Sequence, residues 1–156
     1  MGQGGKPWPV LRGIATNYGG TRHHLDVSSL PNRYISGVTV DPANGAHAYA
    51  IFNGYSRRWI DGAGNGIVFE TRDGGATWTD LSGNLPDAPG DALVVAGGKL
   101  VLATDVGVFA ADVSAPTTWS RLGTGLPNAP VNNLTLAPNG DVVAATHGRG
   151  IWTFTP

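Results

Sequence analysis

Apolar residues come in short runs, and clusters of Gly, Pro, Asn and Asp separate them. Within the runs valine, threonine and aromatic residues alternate with polar ones, as in half-buried strands; the clusters carry turn chemistry. The runs recur in a fixed order. Ile35 to Val40, Ala92 to Ala96 and Val131 to Leu136 each follow a leucine-proline pair, at Leu30-Pro31, Leu85-Pro86 and Leu126-Pro127. After a turn comes a second run: His47 to Phe52, Lys99 to Thr104 and Asp141 to Thr146. A third follows at Gly66 to Thr71, Gly107 to Ala111 and Gly150 to Phe154, and two repeats add a fourth, Trp78 to Leu81 and Trp119 to Leu122. The leucine-proline pairs are offset by 55 and 41 residues (85 − 30 and 126 − 85). Four short strands every ~40–50 residues is the period of a propeller blade. The longer first offset reflects an extended loop, Asn53 to Asn65.

The expected architecture is all-β, a partial β-propeller of about three four-stranded blades. Residues 1–31 form an N-terminal closing-strand region, 32–86 a first blade, 87–127 a second and 128–156 an incomplete last blade. His24 to Pro31 ends in the same leucine-proline pair and reads as an isolated fourth strand, while Val10 to Thr16 reads as an additional strand. Propellers have ~4–8 blades, and a shorter fan bares strand edges and a blade face. The expectation is therefore a homodimer that closes a ring of about six blades, with each N-terminal strand completing its own or, preferably, its partner's last blade. The alternative is that these residues are a fragment of a longer chain.

Composition narrows the function classes. The chain has 156 residues, of which 24 are Gly and 11 Pro; the one Glu is Glu70 and the two Lys are Lys6 and Lys99, so helix formers are scarce. A net charge of −1 offers no basic field for nucleic acid or an anionic membrane. The lack of cysteine excludes disulfides, thiolate metal sites and cysteine nucleophiles. No apolar run approaches ~18 residues. Met1 to Gly5 lacks the pattern of a secretory signal. Abundant Thr, Asn and Gly without Cys suit an exported bacterial parent protein.

Between a third and a fourth run stands Thr71-Arg72-Asp73-Gly74-Gly75-Ala76-Thr77-Trp78, of the form S/T-x-D-x-G-x-T-W. This stretch resembles the Asp-box, or BNR, repeat of sialidase-like and xyloglucanase-type β-propellers. The resemblance implies a tight hairpin in which Thr71, Asp73, Gly75, Thr77 and Trp78 are structural. The aspartate would accept N–H bonds across the turn, and the tryptophan would pack between blades. A second copy, Asp112 to Trp119, keeps Thr118 and Trp119 but has Ser114, Ala115 and Pro116 in place of the glycines. Ala145 to Trp152 resembles the last strands of such propellers. The Asp-box is a folding device, so activity does not transfer with it.

Propeller topology puts the loops after second and fourth strands on one face. That face would receive Arg33, Tyr34, Tyr55, Arg57, Arg58, Trp59, Asp87 and Arg149 as ligand-binding residues, together with Asn32, Asp91, Asn128, Asn132 and Asn133. Arginines mixed with aromatic rings suit a sugar or an anion. Asp105 and His147 follow equivalent inner strands, and with Asp61 they are the candidate catalytic residues, as a base with its orienting carboxylate. The same Asp105 and His147, and the adjacent His23 and His24, are the candidate ligands for a divalent metal ion as cofactor. Turn and network roles compete with each of these readings. No nucleophile elbow, zinc motif, phosphate loop or dinucleotide fingerprint occurs. Two functions are thus expected: a ring-forming module that binds a carbohydrate or other small ligand in its funnel, or a hydrolase of glycosidase or esterase type working there with Asp and His.

Overall fold

The computed structural model describes residues 15–16, 23–24, 30–31, 33–56, 65–123 and 125–156. Two short strands, β1 (Ala15–Thr16) and β2 (His23–His24), pair antiparallel. Three larger sheets follow. The first contains β3 (Ile35–Asp41), β4 (Asn44–Phe52), β5 (Val68–Thr71) and β6 (Thr79–Asp80). In the second are β7 (Gly90–Ala96), β8 (Lys99–Thr104), β9 (Gly107–Asp112) and β10 (Ser120–Leu122). The third has β11 (Val131–Leu136), β12 (Val142–Thr146) and β13 (Ile151–Phe154). Each sheet is an antiparallel meander in chain order. The chain is all-β, with three antiparallel sheets consistent with a partial propeller.

Residues directly opposite one another in antiparallel strands share a face, so the register sorts the core. Tyr49, Ile51 and Val68 lie on one face of the first sheet. With Ile67, Leu81 and Leu85 they pack against Leu93, Leu100, Leu102, Ala111 and Trp119 of the second. The opposite face of the second sheet offers Val101, Ala103, Val108 and Ala110 to Val131, Leu134, Val142 and Ala144 of the third. The middle strand β8 is therefore apolar on both sides, and Leu100 to Ala103 are fully buried. Gly90 makes the first contact possible: a Cβ there would lie 2.7 Å from Ile67 Cγ2 and 2.8 Å from Ile51 Cγ2.

Two sheet faces lie outside this stack. On the first sheet Ala50, Phe52 and Phe69 gather with Leu30, Ile35 and Trp78, while Val38 and Val40 on the same face are exposed. On the third, Val143 opposite Thr153 and Ala145 opposite Ile151 form the face turned from the second sheet. Ile151 is 75% exposed. Among the described residues β13 pairs with β12 alone. Residues 25–29, most of the expected closing strand, lie outside the described residues. His23 and His24 are paired in strand, Ala15 with His24 and Thr16 with His23.

The β5–β6 hairpin is built by side chains. Asp73 Oδ1 accepts from Thr71 Oγ1 at 2.8 Å and from the Thr77 N–H at 2.9 Å, and Asp73 Oδ2 accepts from Thr77 Oγ1 at 2.6 Å. Thr71 Oγ1 accepts the Gly75 N–H at 2.8 Å. Gly74 and Gly75 take φ of 71° and 94°, which a side chain would resist. These bonds hold the Asp73 carboxyl at about 2, the Thr77 hydroxyl contributing most. The β9–β10 turn closes with backbone bonds instead, Ala115 N to Asp112 O and Thr118 N to Ala115 O. That matches its loss of glycines.

Candidate functional site

The three larger sheets repeat one detail at the same end. Ile35 opposes Phe52, Gly90 opposes Thr104 and Val131 opposes Thr146; the next residue of each first strand is bulged out of register. The bulged residues are Ser36, Asp91 and Asn132. Just past each second strand stand Asn53, Asp105 and His147. Their N–H groups donate to the carbonyls of Tyr34, Pro89 and Pro130 at 2.8, 3.2 and 2.8 Å. A bulge re-aims a side chain at a sheet rim. Here it gives every sheet the same pair of polar positions, at the loop end where the sequence places the functional face.

Asp91 is the centre of this rim. Its Oδ1 accepts from Asn53 Nδ2 at 2.9 Å, a link from the first sheet to the second. Its Oδ2 is buried without a hydrogen-bond partner among the described residues. Burial and the nearby Asp105 charge push the Asp91 carboxyl up to about 6, against the pull of the Asn53 bond. Ser36 Oγ donates to the Gly90 carbonyl at 2.6 Å and Thr39 Oγ1 to that of Leu93 at 2.6 Å, so the inner strands of the first two sheets are tied by side chains.

The expected site residues divide. Tyr34 is 76% exposed and Tyr55 is exposed too, on either side of the Asn53–Tyr34 backbone bond. Arg33 is buried, its guanidinium donating to the carbonyls of Gly54, Asn65 and Gly66. Asp87 Oδ1 accepts the Ser56 N–H at 2.8 Å. Both of these side chains hold the long loop between β4 and β5. Burial lowers the Arg33 pKa, with Asp87 and Asp80 opposing. Asp105 and His147 occupy matching positions, yet no hydrogen bond or ion pair joins them among the described residues. His147 and Arg149 are exposed, and the Arg149 carbonyl accepts from Trp152 Nε1 at 2.8 Å. Arg57, Arg58, Trp59 and Asp61 lie outside the described residues, as do the side chains of His23 and His24. Among the described residues no three His, Asp or Glu side chains are grouped to hold a metal ion.

Sequence reading missed Asn53. It named Asp91 without seeing its partner. A signal existed: Ser36, Asp91 and Asn132 each stand six residues after the leucine of their leucine-proline pair (36 − 30, 91 − 85, 132 − 126).

No family model matches the chain, and no curated protein matches it. Solved structures do. Two structures of the extracellular domain of BT4673 from B. thetaiotaomicron, described as a hybrid two-component or one-component system, superpose with TM-scores of 0.59 and 0.61 at 16% identity, over 85% and 90% of this chain. YCF48 bound to a D1 peptide superposes with a TM-score of 0.52 at 21% identity over 80% of this chain. The chain spans 17–18% of the BT4673 domain and 38% of YCF48. These neighbours are β-propeller-type folds, and the likeness makes this chain a β-propeller module.

Proposed function

We propose that the chain is a ring-forming β-propeller module that binds a carbohydrate or similar small polar ligand at its rim, with the β5–β6 hairpin an Asp-box. The observation that carries the reading is the repeated pair of polar rim positions beside exposed Tyr34 and Tyr55. Aromatic rings stack on sugar faces, while amide and carboxyl groups such as Asn53, Asp91 and Asn132 take hydroxyls. Small-ligand sites combine aromatic surface with a few placed polar groups.

Closure of the ring by a second copy is supported by two tryptophans. Trp119 of the second sheet donates its Nε1 to the Leu81 carbonyl of the first at 2.8 Å. Trp78 holds the matching place in the first sheet, on the face turned from the stack, and its buried Nε1 has no partner among the described residues. A further blade on that face supplies the missing carbonyl. The free face of the third sheet, with Val143, Ala145 and Ile151, is the surface such a neighbour uses in return. Two chains joined head to tail at both places satisfy each other.

Calorimetric titration with a panel of neutral and acidic sugars tests the ligand reading. Binding is expected for at least one member and is lost in Tyr34→Ala and Asp91→Ala. Silence across the panel contradicts it. The hydrolase reading rests on a separate observation, the Asp91 carboxyl held up beside Asp105, which sets an acid next to a base. Turnover of a glycoside or ester that disappears in Asp91→Asn would favour it.

A further inference from the structure

Among the described residues the third sheet has three strands and the other two have four. Its last strand, β13, presents an open edge. In the first sheet Phe52 N donates to the Ile67 carbonyl and Leu81 N to the Val68 carbonyl, so successive residues there bond inward and outward in turn. Thr146 N donates to the Gly150 carbonyl just as Phe52 N does to that of Ile67. Register then matches Ile151, opposite Ala145, with Val68, opposite Ile51, and with Val108, opposite Ala103. Ile151 and Thr153 therefore turn their backbone groups outward, and Thr153 is exposed. An edge of this kind is a template for one more strand.

The two complete sheets show which residues that strand brings. Asp80 opposes Phe69 and Arg121 opposes Phe109. Each stands five residues before the leucine of the next leucine-proline pair (85 − 80, 126 − 121). Thr79 opposes Glu70 and Ser120 opposes Ala110, six residues before it (85 − 79, 126 − 120). Phe69 and Phe109 match Trp152 of β13. Counted back from Leu30, the matching residues are Leu25 and His24 (30 − 5, 30 − 6). The tryptophans keep the same count. Trp119 Nε1 donates to the carbonyl of Leu81, four residues before Leu85. The same step from Leu30 gives Asp26 for Trp78, whose Nε1 finds no acceptor among the described residues. Leu30 fixes the side: it packs on Ala50, Phe52 and Phe69, on the face of the first sheet turned from the stack. Four residues from Asp26 to Leu30 reach at most roughly 14 Å. The third sheet of the same chain lies beyond the second, about 20 Å from the first at about 10 Å per layer. Its β13 is out of reach.

We propose that the two copies exchange strands: His24 to Asp26 of each chain is the fourth strand of the third sheet of the other, antiparallel to β13, with Leu25 opposite Trp152 of the partner subunit and His24 opposite Thr153 of the partner subunit. The proposal rests on ring closure by a second copy and names the segment that locks it. Each chain gives one strand and receives one, so neither edge stays open. Leu25 covers a tryptophan that is 38% exposed in the single chain. Among the described residues β2 pairs with β1 along one edge, and its other edge is open.

The chain has no cysteine, so introduced cysteines report pairing directly. Leu25→Cys and Trp152→Cys chains are refolded together and oxidised. The two positions match a pair that shares no ladder bonds, with Cα atoms about 4.5 Å apart, which a disulfide can bridge. A covalent dimer of the two variants is expected, and none when Val27→Cys takes the place of Leu25→Cys. Both cysteines remove apolar contacts, so the unaltered chain carries a second readout, hydrogen exchange at the Thr153 amide. Exchange is expected to be slow in the wild type and fast in Asp26→Pro, which lacks the N–H that matches that of Leu81. The solution mass is measured alongside. A wild-type dimer with fast exchange at Thr153, slow exchange that Asp26→Pro leaves unchanged, or a disulfide that forms only within one chain of Leu25→Cys/Trp152→Cys overturns strand exchange and leaves ring closure standing. Equal cross-linking through Val27→Cys overturns the register. A wild-type monomer overturns strand exchange and ring closure together.

Discussion

Trp119 and Trp78 end matching hairpins in successive sheets and meet different fates. Trp119 lies against the first sheet, buried, with its indole N–H on the Leu81 carbonyl. Trp78 has the better hairpin behind it, with Asp73 fully bonded and two glycines in place, yet its buried N–H finds no acceptor among the described residues. Local sequence quality therefore does not decide how well an element is used. The neighbouring sheet decides, by offering or withholding a face and a carbonyl. The same holds for strands: β8 is buried on both sides, while β13 keeps Ile151 in solvent.

The sharpest way to break this comparison is to damage the doubly covered sheet. Leu102→Ala should cost about 2–5 kcal/mol in urea unfolding, because the surroundings on both sides are too packed to collapse into the hole. A loss below about 0.5 kcal/mol, the range of ordinary surface changes, would mean that the second sheet is not the core. Next in size is Trp119→Phe, which strands the Leu81 carbonyl; about 1–3 kcal/mol is expected. Trp78→Phe removes a donor that has no partner among the described residues, so unfolding of the single chain should be nearly unchanged. If it costs as much as Trp119→Phe, the two indoles are equally bonded and the comparison fails.

Smaller effects sharpen the account of the rim and the hairpin through pH. The Asp91 carboxyl titrates near about 6 in the folded chain against an ordinary 3.8. The folded state thus holds the proton more firmly, and Asp91 favours folding below pH 3.8 and loses that contribution as pH rises through about 6. Asp91→Asn should flatten the decline between those values, seen as a melting temperature that no longer falls. Asp73 has the opposite sign. Its carboxyl is held at about 2, so its contribution is present above the ordinary 3.8 and is lost as pH falls toward about 2. Asp73→Asn should weaken acid sensitivity in that window, modestly, since the group faces solvent.

Much of the fold was legible because strand period and turn chemistry are local. Val131 to Leu136 and Lys99 to Thr104 begin and end as the alternation places them. The strands β4 and β7 extend beyond their apolar runs, since the ladder also pairs Asn44 with Asp41 and Gly90 with Thr104. Site residues were less legible. Arg33 reads as a ligand arginine, but a buried guanidinium finds three loop carbonyls first. The Asn53–Asp91 link spans 38 residues and the His47–Glu70 contact 23. Both depend on which faces meet, and strand alternation alone does not encode that.

Ring closure by a second copy is tested most directly by the solution mass of the chain, from sedimentation equilibrium on the wild type and on Ile151→Asp. The expected result is twice 16.1 kDa for the wild type and 16.1 kDa for Ile151→Asp, because a charge on the free face of the third sheet has no place against the apolar face of the first. A wild-type mass of 16.1 kDa, or a dimer indifferent to Ile151→Asp, would contradict it.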